Sequence, residues 1–151
     1  MWQRIQTVFL AIVILVLLVS LIFPIWSVDV NGEARVLTGF YYLSNSTYQY
    51  NPYSLTAILA IAAATIAFTE ITKFKNRLTQ IKLGALNSLL LVGVLGLAFY
   101  FSNQLIKDVA GPKGKYGLGM WLPFVAVICN LLANRFIRRD EKLVRDSERL
   151  R

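Results

Sequence analysis

Leu83-Gly84-Ala85-Leu86-Asn87-Ser88-Leu89-Leu90-Leu91-Val92-Gly93-Val94-Leu95-Gly96-Leu97-Ala98 opens a run that carries no Asp, Glu, Lys or Arg before Lys107. A helix needs about 20 such residues to cross roughly 30 Å of hydrocarbon. Three further uncharged runs, 5–28, 36–69 and 116–134, stand on either side of it. Together the four cover two-thirds of the 151 residues. A soluble domain of this length needs charges on its exposed faces at shorter intervals. Apolar residues make up 56% of the chain, above the roughly 45–50% of ordinary soluble domains. The expected fold is therefore an all-α membrane protein. It is a single domain, 1–151, built as an antiparallel four-helix transmembrane bundle with spans at about 5–25, 54–71, 83–104 and 118–133.

The segments between the runs fill in the plan. The first run ends in Phe23-Pro24-Ile25-Trp26 and has no small-x-small cleavage site, so it reads as a retained anchor and not a signal peptide. Outer loops are expected at 27–53 and 105–117. In the first, Val28-Asp29-Val30-Asn31-Gly32-Glu33-Ala34-Arg35-Val36 predicts a short β-hairpin turning at Asn-Gly. Tyr41, Tyr42, Tyr48, Tyr50 and Tyr53 then read as an interfacial aromatic belt. Asn51-Pro52 is expected to start the second helix as N-cap and first helical residue. Gly111 to Gly117 reads as a flexible outer turn, because the phosphate-cradle spacing and its preceding strand are missing.

Charge fixes the expected orientation. The net charge is +8, and its distribution explains it without nucleic acid. Twelve basic residues (Arg4, four within 73–82, seven within 135–151) fall on one side. Four, Arg35, Lys107, Lys113 and Lys115, fall on the other. The positive-inside rule then places both termini in the cytoplasm.

Residue inventory excludes much chemistry. There is no histidine, and Cys129 is the one cysteine, so imidazole relays, disulfide exchange and thiol-rich metal centres are ruled out. No catalytic residue, cofactor or metal ligand is expected. Glu70 reads as a helix-end carboxylate paired with Lys73 and Lys75. The small-xxx-small pairs Ala60/Ala64 and Ala63/Ala67 predict close helix approach. Asn87 lies five residues beyond Lys82, where the third span enters, and Asn130 five residues before Arg135, where the fourth leaves. Antiparallel neighbours would therefore hold them at one depth as an interhelical polar pair.

The tail, 134–151, predicts a cytoplasmic helix. Phe136, Leu143 and Leu150 recur every seven residues, and Glu141/Arg145 and Lys142/Asp146 are spaced for helical ion pairs. With the basic 73–82 connection it offers a docking surface of Arg77, Gln80, Lys82, Arg138, Asp140, Glu141, Leu143, Val144, Arg145, Arg149 and Leu150.

Three segments carry a resemblance: Met1-Trp2-Gln3-Arg4-Ile5-Gln6-Thr7, the connection Phe74-Lys75-Asn76-Arg77-Leu78-Thr79-Gln80-Ile81-Lys82-Leu83, and the ending from Leu132 to Arg151. They resemble the bacterial family catalogued as domain of unknown function 4293, small four-span proteins of Bacteroidota. The resemblance implies a bacterial inner-membrane setting and brings no activity. The function expected is a non-enzymatic accessory subunit or scaffold, in contact with membrane lipids and a protein partner. A small transporter or channel for a neutral solute is the alternative, and a lipid-acting membrane enzyme the third reading.

Overall fold

The computed structural model describes residues 2–30, 32–73, 76–108 and 114–149. Helix α1 (Trp2–Ser20) leads into strands β1 (Trp26–Val30), β2 (Glu33–Leu37), β3 (Tyr42–Ser44) and β4 (Thr47–Gln49). Helices α2 (Leu55–Thr72) and α3 (Arg77–Asp108) follow, then strand β5 (Lys115–Tyr116) and helix α4 (Leu118–Arg149). The helices run alternately up and down, and the strands gather at one end of them.

The all-α expectation is corrected here. The fold is mixed: four helices carry a five-stranded antiparallel sheet in the order β4-β3-β2-β1-β5. The expected hairpin is two of these strands, with Val30 opposite Glu33 and Trp26 opposite Leu37. Gly32 turns it with φ +85°, a backbone region where a side chain is strained; Asn31 lies outside the described residues. Of the five tyrosines, Tyr42 lies in β3 and Tyr48 in β4. β3 and β4 turn tightly through Asn45 and Ser46, both at positive φ. Tyr42 is buried and meets Tyr53 at 5.5 Å, which meets Phe101 of α3 at 5.2 Å. Burial pushes the Tyr53 phenol up, with the neighbouring Tyr42 and the Asp108 carboxylate adding to it.

The supposed outer turn also changes character. Ser27 pairs with Lys115 and Trp26 with Tyr116, adding β5 to the sheet edge; Gly111, Pro112 and Lys113 lie outside the described residues. Gly117 and Gly119 then donate their N–H groups to Ile25 O and Pro24 O, both at 3.0 Å. A side chain at Gly119 would press within 2.8 Å of the Pro24 oxygen. Glycine there lets the start of α4 lie against the segment that follows α1.

Helix ends differ from the expected spans for local reasons. α1 stops at Ser20, whose hydroxyl turns back to Leu17 O at 2.7 Å, and Pro24 cannot continue it. α2 begins at Leu55 behind Ser54. Asn51 and Pro52, joined by a cis peptide bond, sit in the turn before it. Gly39 O accepts the Ala57 N–H at 3.0 Å, in place of the expected Asn51 cap. α3 and α4 are 32 residues each, about 48 Å at 1.5 Å per residue.

α2, α3 and α4 are long and apolar enough to cross a membrane, whereas the apolar part of α1, Ile5–Ser20, is shorter. Large apolar residues face outward on every helix: Val8 and Leu15, Ile58 and Phe68, Leu89 and Val92, Ile128 and Leu131. The interior is small instead, with Ala60, Ala63, Ala67, Ala126 and Ala133 packed around Leu10, Val13, Leu17 and Leu91. Such an inverted distribution suits hydrocarbon, where close backbone approach drives helix association.

Candidate functional site

The buried face of α2 runs Ala60, Ala63, Ala67 and then Glu70. Its 3-4-3 spacing keeps one side of a helix in register. Facing it, the buried face of α3 begins Gln80, Gly84, Asn87, Leu91. On α4 the corresponding residues are Asn130, Ala133, Asn134 and Ile137. Three helices thus bring Glu70, Gln80, Asn87, Asn130 and Asn134 together at the end of the bundle away from the sheet. All five are buried, Glu70 completely.

Gly84 is the geometric centre. Its carbonyl accepts from Asn134 Nδ2 at 3.0 Å, from Ser88 Oγ at 2.9 Å and from Asn130 Nδ2 at 3.3 Å. Ser88 Oγ in turn accepts from Asn130 Nδ2 at 2.8 Å and Asn134 Nδ2 at 3.3 Å. Asn87 Nδ2 donates to Asn130 Oδ1 at 3.1 Å, so the two amides meet directly, without a cavity between them. Gln80 Nε2 donates to the Glu70 backbone oxygen at 2.9 Å, tying the end of α2 to the start of α3.

Those bonds leave acceptors over. Glu70 Oε1 and Oε2, Gln80 Oε1, Asn87 Oδ1 and Asn134 Oδ1 are buried and find no hydrogen-bond partner. The space over the Gly84 Cα is shared by two of them: a side chain there would collide with the Asn134 amide oxygen and come within 3.0 Å of Glu70 Oε1. The expected pairing of Glu70 with lysines is not what the described residues show. Lys73 is exposed, and Lys75 lies outside them. The alanine stripe carried the missing signal, because Glu70 falls on its next position.

The residues expected to form a docking surface divide into three groups. Gln80 is buried in the cluster just described. Arg77 and Asp140 join each other: Nη2 lies 3.2 Å from Oδ2, and Nη1 donates to the Asp140 backbone oxygen at 3.1 Å. Lys82, Arg138, Leu143, Val144 and Arg145 are exposed and Glu141 partly so. Arg149 ends α4, and Leu150 lies outside the described residues. Closer to the bundle, Ile137 is buried and Phe136 stacks on Phe9 at 5.7 Å. A groove of about 260 Å³ between α3 and α4 is lined by Ala85, Ser88, Leu131, Asn134, Arg135 and Arg138.

A family model described as "Domain of unknown function (DUF4293)" matches residues 2–150. No curated protein and no solved structure matches the chain.

Proposed function

Because the chain belongs to the DUF4293 family, whose description assigns no activity, we propose its role from its architecture: a non-enzymatic integral membrane protein, an accessory subunit or scaffold. In this reading it has four spans in a bacterial inner membrane and both termini in the cytoplasm. The twelve-to-four distribution of basic residues supports that orientation.

The observation that carries the role is the end of α4. The helix continues without a break from Leu118 to Arg149, past the roughly 30 Å of hydrocarbon that about 20 residues cover. The Arg77–Asp140 contact fixes its course beside the start of α3. Beyond that contact Leu143 and Val144 are exposed, with Lys142 and Arg145 next to them. The complementary partner is a protein with an apolar spot ringed by carboxylates. Acidic residues Glu141 and Asp146 within the same stretch weaken attraction to anionic lipid alone.

Truncation after Arg139 tests this reading. The shortened chain keeps its basic stop after the last span and should insert normally. It should also lose a stoichiometric partner that co-purifies with the full chain from gently solubilised membranes. Retention of that partner would decide for lipid attraction. Reporter fusions at position 110 and at the C-terminus should report opposite compartments, and identical compartments would sink the topology.

A small transporter or channel is the second reading, favoured by the burial of Glu70 among three helices. A homo-oligomer with solute uptake in reconstituted vesicles would decide for it.

A further inference from the structure

The polar cluster is unbalanced in one direction. Every unpartnered side-chain atom in it is an oxygen acceptor: two on Glu70 and one each on Gln80, Asn87 and Asn134. The amide hydrogens of Asn130 and Asn134 and the Ser88 hydroxyl converge instead on Gly84 O and on Ser88 itself. Reversing the Asn134 amide does not cure this. Its Nδ2 serves the Gly84 carbonyl, which can only accept, so a reversed amide would set oxygen against oxygen there. Asn134 Oδ1 is therefore held on the side where Glu70 Oε1 also lies, over the bare Cα of Gly84.

Two acceptors that meet out of water need a donor or a positive charge between them, and an isolated buried carboxylate is prohibitively costly. Among the described residues no neighbouring cation supplies that charge. Arg77 is engaged by Asp140, and Lys73, Lys82, Arg135 and Arg138 are exposed. A proton on Glu70 would satisfy a single acceptor and leave the Gln80 oxygen as it is. A bare cation accepts several oxygens at once.

We propose that Glu70, Asn134 and Gln80 form a binding site for a monovalent alkali cation where Glu70 Oε1 and Asn134 Oδ1 meet beside Gly84, between α2, α3 and α4. The donor set selects the class. All the ligands are hard oxygens, which suit alkali and alkaline-earth ions and not thiophilic metals. One carboxylate among neutral amides carries a single negative charge, so a monovalent ion closes the balance and a divalent ion leaves a buried excess. Among the described residues no group of three or more His, Cys, Asp or Glu competes as a metal centre. Gly84 is part of the site because a methyl there would displace the Asn134 amide oxygen that it needs. Gln80 contributes from the edge, its amide nitrogen bound to the Glu70 backbone and its oxygen free.

The test is sodium binding by the purified full chain in detergent at constant ionic strength. Radiolabelled sodium should bind the wild type at one ion per chain and be displaced by unlabelled sodium but not by choline. The Tm should rise saturably as sodium replaces choline, by roughly 5 °C once the site is filled. Glu70→Gln should abolish both effects while remaining folded, because its new amide donates to Asn134 Oδ1 and does the ion's work. Asn134→Ala should weaken binding at least tenfold. Absence of sodium binding by the wild type would overturn the proposal and leave a protonated Glu70 as the account. Undiminished binding by Glu70→Gln would overturn the site itself.

Discussion

Asn87 and Asn130 meet across the α3–α4 interface through one hydrogen bond, 3.1 Å from Nδ2 to Oδ1, and both are completely buried. Neither amide has access to water, so Asn87 Nδ2 and Asn130 Oδ1 each depend on the other for a partner.

That dependence predicts a coupling energy. Asn87→Ala and Asn130→Ala, singly and together, form a double-mutant cycle, with interaction expected at roughly 0.6–1.7 kcal/mol. Reversible unfolding in mixed micelles gives the value. Asn130→Ala should be the costlier single change, since it also removes the bonds to Ser88 Oγ and Gly84 O. Strict additivity would show that the two amides do not act as a pair.

Gly84→Ala should destabilise the chain by about 1–3 kcal/mol. The methyl displaces the Asn134 side chain, which then gives up its contacts with Gly84 O and Ser88. Adding Asn134→Ala should recover part of the loss, because the obstructing amide is gone. Denaturant midpoints for the three variants read this directly. An undisturbed Gly84→Ala protein would place Asn134 elsewhere.

The Arg77–Asp140 pair is partly exposed on both sides, so its removal should cost less than about 1 kcal/mol. Arg77→Ala should act locally instead. Amide exchange in α4 beyond Asp140 should quicken while the buried turns around Ala126 and Ala133 keep their protection. Global acceleration of exchange would mean that the pair supports the whole bundle.

Tyr53→Ala removes the ring that bridges Tyr42 of the sheet and Phe101 of α3. The expected cost is about 2–4 kcal/mol, somewhat below that of a fully buried ring. Limited proteolysis should then cut within residues 38–53 before any helix is attacked. Unchanged resistance would show that the remaining contacts hold the sheet alone.

How the fold could be read from the chain varied with the range of the forces that set it. Charge-free runs and small-residue spacing are local, and they place α2, α3 and α4 within a few residues at their uncharged ends. The charged ends escaped: α3 begins at Arg77, before the run that marks it. The sheet was hidden because β3 and β4 have three residues each and β5 two, too few for alternation to register. β5 also pairs with a strand nearly ninety positions earlier in the sequence. In the polar cluster, Asn87 and Asn130 were legible from depth along two antiparallel spans. Glu70 was not, since nearby lysines offered a shorter-range explanation than the alanine face it completes.

β5 imposes an order of assembly. Trp26 and Ser27 emerge from the ribosome long before Lys115 and Tyr116, their partners on the sheet edge. The sheet is therefore completed only after α3 has been made and has carried the chain back to the sheet's side of the bundle. Until then one margin of β1 presents unsatisfied backbone groups, the exposure that makes an incomplete sheet liable to pair with another chain. A nascent chain halted between Asp108 and Lys115 is the species in which that liability is greatest.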